Sequence, residues 1–358
     1  MSDSFGIYVH WPFCAQKCPY CDFNSHVRES HDDAEWAAAI GKELAAVAGW
    51  HSGPSQVTSI FFGGGTPSLM SGAAVTRVLE TISKHWPMSA NVEITLEANP
   101  NSAEQQRFRD YAAAGVNRLS IGVQALNDGA LKKLGRLHGA AEARHAVEWA
   151  NGIFARTSID LIYARPDQTS AEWETELNEA LSFGTEHLSL YQLTIEPGTA
   201  YARLARQGKL KVPDDDEAAD LYELTQDICE ASGRPAYEVS NHAKSGAESR
   251  HNLTYWRYGD YAGVGPGAHG RLTVGGTRVA TKAERLPEKW LNRVARYGHS
   301  FEYEEILPAA AARENLLMAL RLSEGLDLKD YESRWSVELP RAQITMLRSE
   351  EHTSELQS

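Results

Sequence analysis

From residue 6 to residue 195 the chain repeats one unit: a short β-branched run, a polar or glycine-rich turn, then an amphipathic stretch. The runs "GIYVHW", "VTSIFF", "VEITLE", "RLSIGV", "SIDLIY" and "HLSLYQLTI" read as strands. Between them, "DDAEWAAAIGKELAAVA", "AAVTRVLETISKHW", "AEQQRFRDYAAAG", "AAEARHAVEWANG" and "SAEWETELNEALSFG" read as helices, most of them closing on glycine. Strands separated by helices pair in parallel through right-handed crossovers, which puts the helices outside the sheet. Six such units in order predict an α/β fold, a partial (β/α)6 barrel of TIM type. A chain of 358 residues has room for a smaller domain besides.

In such barrels the chemistry sits where strands end and loops begin. The unusual residues fall there: Cys14, Cys18 and Cys21 follow the first strand, "GGGTP" the second and "EANP" the third. Gln124 ends the fourth, Asp160 lies on the fifth, and Gln192 ends the sixth. The pattern changes after about residue 225. Residues 226–300 are rich in glycine, aromatic and polar groups and read as strands and functional loops that complete the barrel. From "LPAAAARENLLMALRLSEG" onward the text reads as a mainly helical C-terminal domain, residues 301–347. The run "DDDE" after Pro213 reads as the solvated first turn of a helix.

Three cysteines in eight positions, spaced C-x3-C-x2-C, are the sharpest chemical signal. Three thiolates from one loop can hold three corners of an iron–sulfur cube and leave the fourth iron open to a ligand. A closed zinc site wants a fourth cysteine or histidine, and electron-transfer clusters want four cysteines. By itself the loop also reads as half a zinc site, and the glycine triplet as a tight turn. No Gly-Lys-Ser/Thr follows the triplet, which argues against a P-loop. The fourth cysteine, Cys229, reads as a buried apolar thiol.

A formal net charge of −13 argues against nucleic acid and anionic membranes as partners. The N-terminus has no basic patch followed by an apolar run, and no apolar stretch is long enough to span a bilayer. Clustered cysteines outside a disulfide pattern suit metal ligation in a reducing compartment, so the cytoplasm is expected.

The cysteine spacing, followed one strand later by "GGGTP", resembles the radical S-adenosylmethionine (SAM) superfamily. That resemblance implies a [4Fe-4S] cluster on Cys14, Cys18 and Cys21, whose open iron is chelated by SAM, and an electron donor to the cluster. It implies that Tyr8, Gly64, Gly65, Thr66 and Glu97 hold SAM, with Tyr20 flanking the adenine or the cluster. In the same reading Gly64 and Gly65 let the backbone approach the methionine moiety, and Glu97 accepts hydrogen bonds from the ribose. "YVHWPFC", "GVQ", "GRLHG" and "IDLIY" are similar to the group around oxygen-independent coproporphyrinogen III oxidase, where Gln124, Arg136 and Asp160 match positions around a second SAM.

That group holds two classes. The oxidase decarboxylates propionates of coproporphyrinogen III in porphyrin biosynthesis; its loop usually carries one more cysteine and a long N-terminal extension precedes it. Here Asp22 and Phe23 follow Cys21, and thirteen residues precede Cys14. The other class is the HemW family of heme chaperones, whose H-N-x-x-Y-W motif stands here as "HNLTYW", His251 to Trp256. A neutral imidazole can ligate heme iron and aromatics can pack on a porphyrin, so the resemblance implies heme on His251 and delivery to acceptor hemoproteins such as respiratory enzymes. Taken alone, such a histidine reads more readily as a hydrogen-bonded structural residue. "YQLTIEPGT" and "YAGVGPGAHGR" also match, and the chaperone reading is preferred.

Two departures stand out. Ala164 and Arg165 occupy positions where relatives usually carry Gly-Leu, and this reads as a tolerated surface change. The last eleven residues, "RSEEHTSELQS", break the helical pattern and match the translation of a common sequencing adapter. Residues 348–358 are therefore expected to be non-native, and the terminal domain to be truncated, with apolar faces lacking partners.

Overall fold

The computed structural model describes residues 5–28, 30–51, 56–100 and 105–337. The adapter-like tail, and residues 338–347 of the terminal domain, lie outside the described residues. The chain opens with β1 (Phe5–Trp11), then two short strands, β2 (Phe13–Cys14) and β3 (His26–Val27), and helix α1 (Asp33–Trp50). Strand and helix then alternate through β4 (Val57–Gly64), α2 (Gly72–His85), β5 (Met88–Ala98), α3 (Gln105–Ala114) and β6 (Arg118–Gln124). The short α4 (Asp128–Lys133) and α5 (Ala140–Ile153) lead to β7 (Arg156–Tyr163), α6 (Ser170–Ser182) and β8 (His187–Gln192). All six long strands stand where the β-branched runs predict them, and neighbours pair in parallel.

Helix ends differ from the sequence expectation. Gly115 and Gly184 follow α3 and α6 with positive φ, as a glycine stop requires. Helices α1, α2 and α5 instead pass into extended caps at His51, Trp86 and Phe154. Their N-termini are conventional: the Asp32 and Ser71 side chains accept backbone N–H groups of the first turn.

The remaining elements extend both edges of this sheet. After α7 (Ala200–Arg206) and α8 (Asp215–Ala231), the three-residue strands β9 (Ala236–Glu238) and β10 (Asn241–Ala243) add antiparallel beyond β8. Helix α8 begins as "DDDE" predicts, with Asp214 and Glu217 forming a capping box, and buries Cys229. After α9 (Arg250–Trp256), β11 (Asp260–Val264) pairs parallel with β1. An antiparallel run continues through β12 (His269–Val274) and β13 (Thr277–Lys282) and, after α10 (Pro287–Tyr297), ends at β14 (Glu302–Glu305). The sheet order is β14-β13-β12-β11-β1-β4-β5-β6-β7-β8-β10-β9, so the sheet does not close on itself. Helices α11 (Pro308–Ala319) and α12 (Leu328–Trp335) follow. No described helix is long and apolar enough to cross a membrane.

Two features position the site. Side chains alternate along each strand: Leu119 and Ile121, Ile159 and Leu161, Leu188 and Leu190 pack in the main hydrophobic core, while Arg118 and Ser120, Asp160, His187 and Ser189 line an interior cavity. The outside of the barrel is therefore apolar and its lumen polar. The later elements are tied to the barrel by Glu43 of α1, fully buried, whose carboxylate accepts from Gly265 N (2.8 Å), Trp290 Nε1 (2.9 Å), Ser300 N (2.8 Å) and Ser300 Oγ (2.9 Å). The described part of the terminal domain does find partners. α11 packs on α9, and Glu314 accepts from Tyr258 Oη (2.8 Å) and Arg271 Nε (3.1 Å), while Leu307 and Leu317 remain exposed.

Candidate functional site

The cysteine loop leaves the C-terminal end of β1 and is clamped at its base. β2 pairs with β3, setting Phe13 opposite His26 and Cys14 opposite Val27. Asn24 Nδ2 donates to the carbonyls of Pro266 (2.8 Å) and Arg285 (2.9 Å), which fastens the loop to the segments around β12 and β13. All three cysteines are free thiols, Cys14 buried and Cys18 and Cys21 half-buried. Burial pushes the Cys14 thiol up from its ordinary value, against the Thr66 hydroxyl that donates to its sulfur at 3.4 Å. Arg136 Nη1 donates to the Cys18 sulfur at 3.6 Å, and Ser25 Oγ lies 4.0 Å from Cys21 Sγ. Among the described residues no trio of His, Cys, Asp or Glu gathers around a point that one metal ion could occupy.

A polar arc spans the barrel mouth behind these thiols. Thr66 Oγ1, which faces Cys14, accepts from Asn99 Nδ2 at 3.2 Å. Asn99 Oδ1 accepts a short hydrogen bond from Arg136, which also donates to Gly122 O at 2.9 Å and reaches Cys18. The loops after β4 and β5 and the "GRLHG" turn are thus linked from one cysteine to another. Asn99 belongs to "EANP", and nothing in its type alone marks it as the bridge.

The glycines of the second loop also have a reason within the chain itself. A Cβ on Gly64 (φ +112) would stand 2.6 Å from the His10 ring, and one on Gly65 would stand 2.7 Å from Phe13 O. Their missing side chains make room for the chain's own β1 and cysteine strand. Gln124, at the end of β6, sits at φ 68, a conformation that non-glycine residues avoid. Tyr20 packs near Tyr201, with ring centroids 6.3 Å apart, and burial raises its phenol.

Inside the mouth, Tyr8 Oη lies 3.0 Å from His10 Nδ1, and His10 Nε2 lies 2.9 Å from the Asn24 carbonyl. A carbonyl only accepts, so Nε2 carries the proton and Tyr8 is the donor to Nδ1. Glu97 is pushed up to about 8, first by burial and then by the nearby Asp160 charge, with the Gly64 N–H opposing. It is therefore protonated at neutral pH and can donate as well as accept. Asp160 is raised to about 6 by burial, against hydrogen bonds from Ser189 and Ser120 (3.0 Å to the latter) and the charges of Arg118 and Arg136.

His251 lies elsewhere. Helix α9 packs against β1, β4 and β11, and His251 Nδ1 meets Ser59 Oγ at 2.9 Å near the start of β4. The backbone N–H of His251 donates to Glu93, which pairs with Arg156 at 2.6 Å, while Arg156 also holds the Ala247 and Glu248 carbonyls. The histidine motif thus caps the N-terminal end of the barrel, opposite the cysteine loop. His251 Nε2 makes a short hydrogen bond with Tyr255 Oη, so both ring nitrogens are engaged, as in the structural alternative. Burial, and then the Arg118 charge, lower its pKa to about 3, so the ring is neutral.

Arg165 overturns the surface expectation. Its side chain is 6% exposed and forms a two-pronged ion pair with Glu176, which is 7% exposed. Arg165 Nη1 also lies 3.4 Å from the Gln124 carbonyl, and Glu176 accepts from Leu126 N at 2.6 Å. The pair braces the turn after β6. Ala164 beside it has φ 53, the left-handed conformation that a glycine would adopt freely.

Comparison with known proteins places the chain. The radical SAM superfamily profile matches residues 8–180. Heme chaperone HemW of Escherichia coli (strain K12) is 44% identical over 277 residues, covering 76% of this chain and 71% of that one. The mitochondrial radical S-adenosyl methionine domain-containing protein 1 of Danio rerio is 40% identical over 332 residues, covering 91% and 74%. Among solved structures, coproporphyrinogen III oxidase (HemN) from Escherichia coli superposes with a TM-score of 0.78 at 23% identity, covering 93% of this chain and 79% of that one, a likeness of fold.

Proposed function

The chain belongs to the radical SAM superfamily, in the group shared by HemW heme chaperones and oxygen-independent coproporphyrinogen III oxidase, and we propose that it is a heme chaperone that hands heme to acceptor hemoproteins. The observation that carries this reading is the 44% identity to a HemW protein, joined to the "HNLTYW" motif at 251–256. Cys14, Cys18 and Cys21 would hold a [4Fe-4S] cluster. When bound, that cluster in its reduced form supplies an electron to the sulfonium of SAM.

The chain's own residues do the rest. Thr66 and Arg136 donate to two of the thiol sulfurs, and Asn99 holds those two donors in register. Tyr8, Tyr20, Gly64, Gly65, Thr66 and Glu97 would hold SAM. Glu97, carrying its proton at neutral pH, offers the ribose both a donor and an acceptor. Gln124, Arg136 and Asp160 would surround a second SAM. Residues 1–225 would form the radical SAM partial barrel in this reading, 226–300 complete it, and 301–347 begin a terminal domain. The free thiols suit a reducing compartment, the cytoplasm.

Heme ligation by His251 requires Nε2 to leave Tyr255. Heme titration of anaerobically reconstituted protein tests this directly. His251→Ala should weaken heme binding by about tenfold or more, as loss of an iron ligand implies, and Tyr255→Phe should tighten it by freeing Nε2. Equal affinity in wild type and His251→Ala removes His251 from the site. Turnover of coproporphyrinogen III under anaerobic, reducing conditions overturns the chaperone reading in favour of the oxidase.

A further inference from the structure

Arg118 opens β6 with its side chain turned into the barrel, and only 2% of the residue is exposed. Its guanidinium makes no hydrogen bond and no ion pair with any described residue. Arginine is seldom buried without a hydrogen-bonded partner, and the Asp160 charge, which Arg118 feels from beyond ion-pair distance, offsets its lost hydration only in part.

The neighbouring groups are already engaged. His251 bonds Ser59 and Tyr255, and His187 bonds Ser158 Oγ (2.7 Å) and Tyr237 Oη (2.9 Å). Asp160 holds the hydroxyls of Ser120 and Ser189, and Glu97 the Gly64 N–H. Between these side chains lies a cavity of about 200 Å³, which Arg118, Asp160, His187, Ser189 and Asn252 help to line. That is room for about six water molecules, below the roughly 300 Å³ at which pockets for drug-sized ligands begin.

We propose that this chamber in the lower barrel is a binding site for a small carboxylate of formate or acetate size, gripped by the Arg118 guanidinium. The planar fork of arginine matches a planar carboxylate with two parallel hydrogen bonds. The Asp160 carboxylate on the same wall repels a second negative charge, so a monoanion is favoured over sulfate or hydrogen phosphate. Asn252 adds a neutral amide that can donate to the same oxygens. Tyr8, Glu97, Asp160 and His251, assigned above to SAM and heme, line the same cavity, whereas Arg118 and Asn252 stand outside those assignments and give the carboxylate its own contacts.

The test is a thermal-shift and calorimetric titration of the full chain with sodium formate, sodium acetate and sodium sulfate, ionic strength held constant with sodium chloride. Formate or acetate should raise the melting temperature along a saturating curve, whereas sulfate should give only the unsaturable rise of an excluded salt. Arg118→Gln should abolish the saturable part. Arg118→Lys, which keeps the charge without the fork, should weaken it about tenfold, and it serves as the readout if the glutamine variant does not fold. The proposal fails if wild type shows no saturable response to either carboxylate, or if the response keeps its wild-type affinity in the Arg118 variants. Saturation by sulfate at lower concentration than acetate would overturn the carboxylate assignment.

Discussion

Arg165→Ala cuts a buried ion pair that braces the turn after β6. The two side chains are 6% and 7% exposed, so bulk water screens them little. Arg165 gives Glu176 two hydrogen bonds from its terminal nitrogens; without them the carboxylate keeps Leu126 N–H (2.6 Å) and a long contact from Gln168 Nε2 (3.4 Å). Removing one partner of a buried pair costs about 3–5 kcal/mol, and the remaining donors put this case near the lower end, about 3 kcal/mol. Arg165→Leu with Glu176→Leu removes both charges and leaves chiefly the Leu126 N–H without its acceptor, a cost of about 1–3 kcal/mol. The double variant should therefore be no less stable than the single one, despite carrying more change. Urea unfolding of the full chain, followed by far-ultraviolet circular dichroism, reads both midpoints. An Arg165→Ala variant within about 0.5 kcal/mol of wild type would show that the pair behaves as a surface contact, and the reasoning would be wrong.

Further outcomes follow from single positions. Ala164→Gly should raise stability by about 0.5–1 kcal/mol in the same assay, because alanine at φ 53 carries left-handed strain that outweighs glycine's greater freedom in the unfolded chain. Glu97 binds its proton more tightly folded (about 8) than at its ordinary 4.5, so its contribution to stability is full below pH 4.5 and is lost as the pH rises toward 8, a fall of up to about 5 kcal/mol. Glu97→Gln should flatten that part of the pH–stability curve and be the more stable protein at pH 8. Gly65→Ala sets a Cβ against the Phe13 carbonyl, 2.7 Å away, and should displace the cysteine strand; iron retained after anaerobic reconstitution should drop several-fold, and unchanged iron would clear the loop of that constraint.

Much of this architecture is legible before any coordinates. Six β-branched runs locate six parallel strands because the residues that face the helices alternate with those that face the lumen and leave a strong pattern. Strand ends gather the notable residues because a parallel sheet sends every such loop to one mouth; Thr66, Arg136 and the cysteines meet there although distant in sequence. Other features depend on partners that no local pattern reveals. Arg165 looks like a surface cation until Glu176, eleven positions on, turns out to be its buried counter-ion. Strands β9 and β10 are three residues each, too short for a period to show. The end of the barrel that receives "HNLTYW" is decided by the Glu93–Arg156 pair, whose members lie 63 positions apart. Arg118 reads as an ordinary polar start to a strand; only the enclosed lumen makes it conspicuous.

Placing the histidine motif and the cysteine loop at opposite ends has a consequence for how SAM and heme could influence one another. The seven residues of β1 span about 23 Å, so a heme on His251 shares no ligand with a cluster on Cys14. Tyr8 is the side chain that touches both neighbourhoods: its hydroxyl holds His10, which fixes Asn24 in the cysteine loop, and its ring lies over His251 with centroids 6.4 Å apart. Tyr8→Phe keeps the ring and removes the hydroxyl. If SAM changes heme affinity by a typical coupling of about 5–150-fold, and the hydroxyl carries the effect, the ratio of heme dissociation constants with and without SAM should fall toward one in this variant. Linkage demands that the SAM affinity measured with and without heme change by the same factor, so two titrations check each other. A Tyr8→Phe protein that keeps the full ratio would move the coupling to ring packing or to the β1 backbone and remove the hydroxyl from the route.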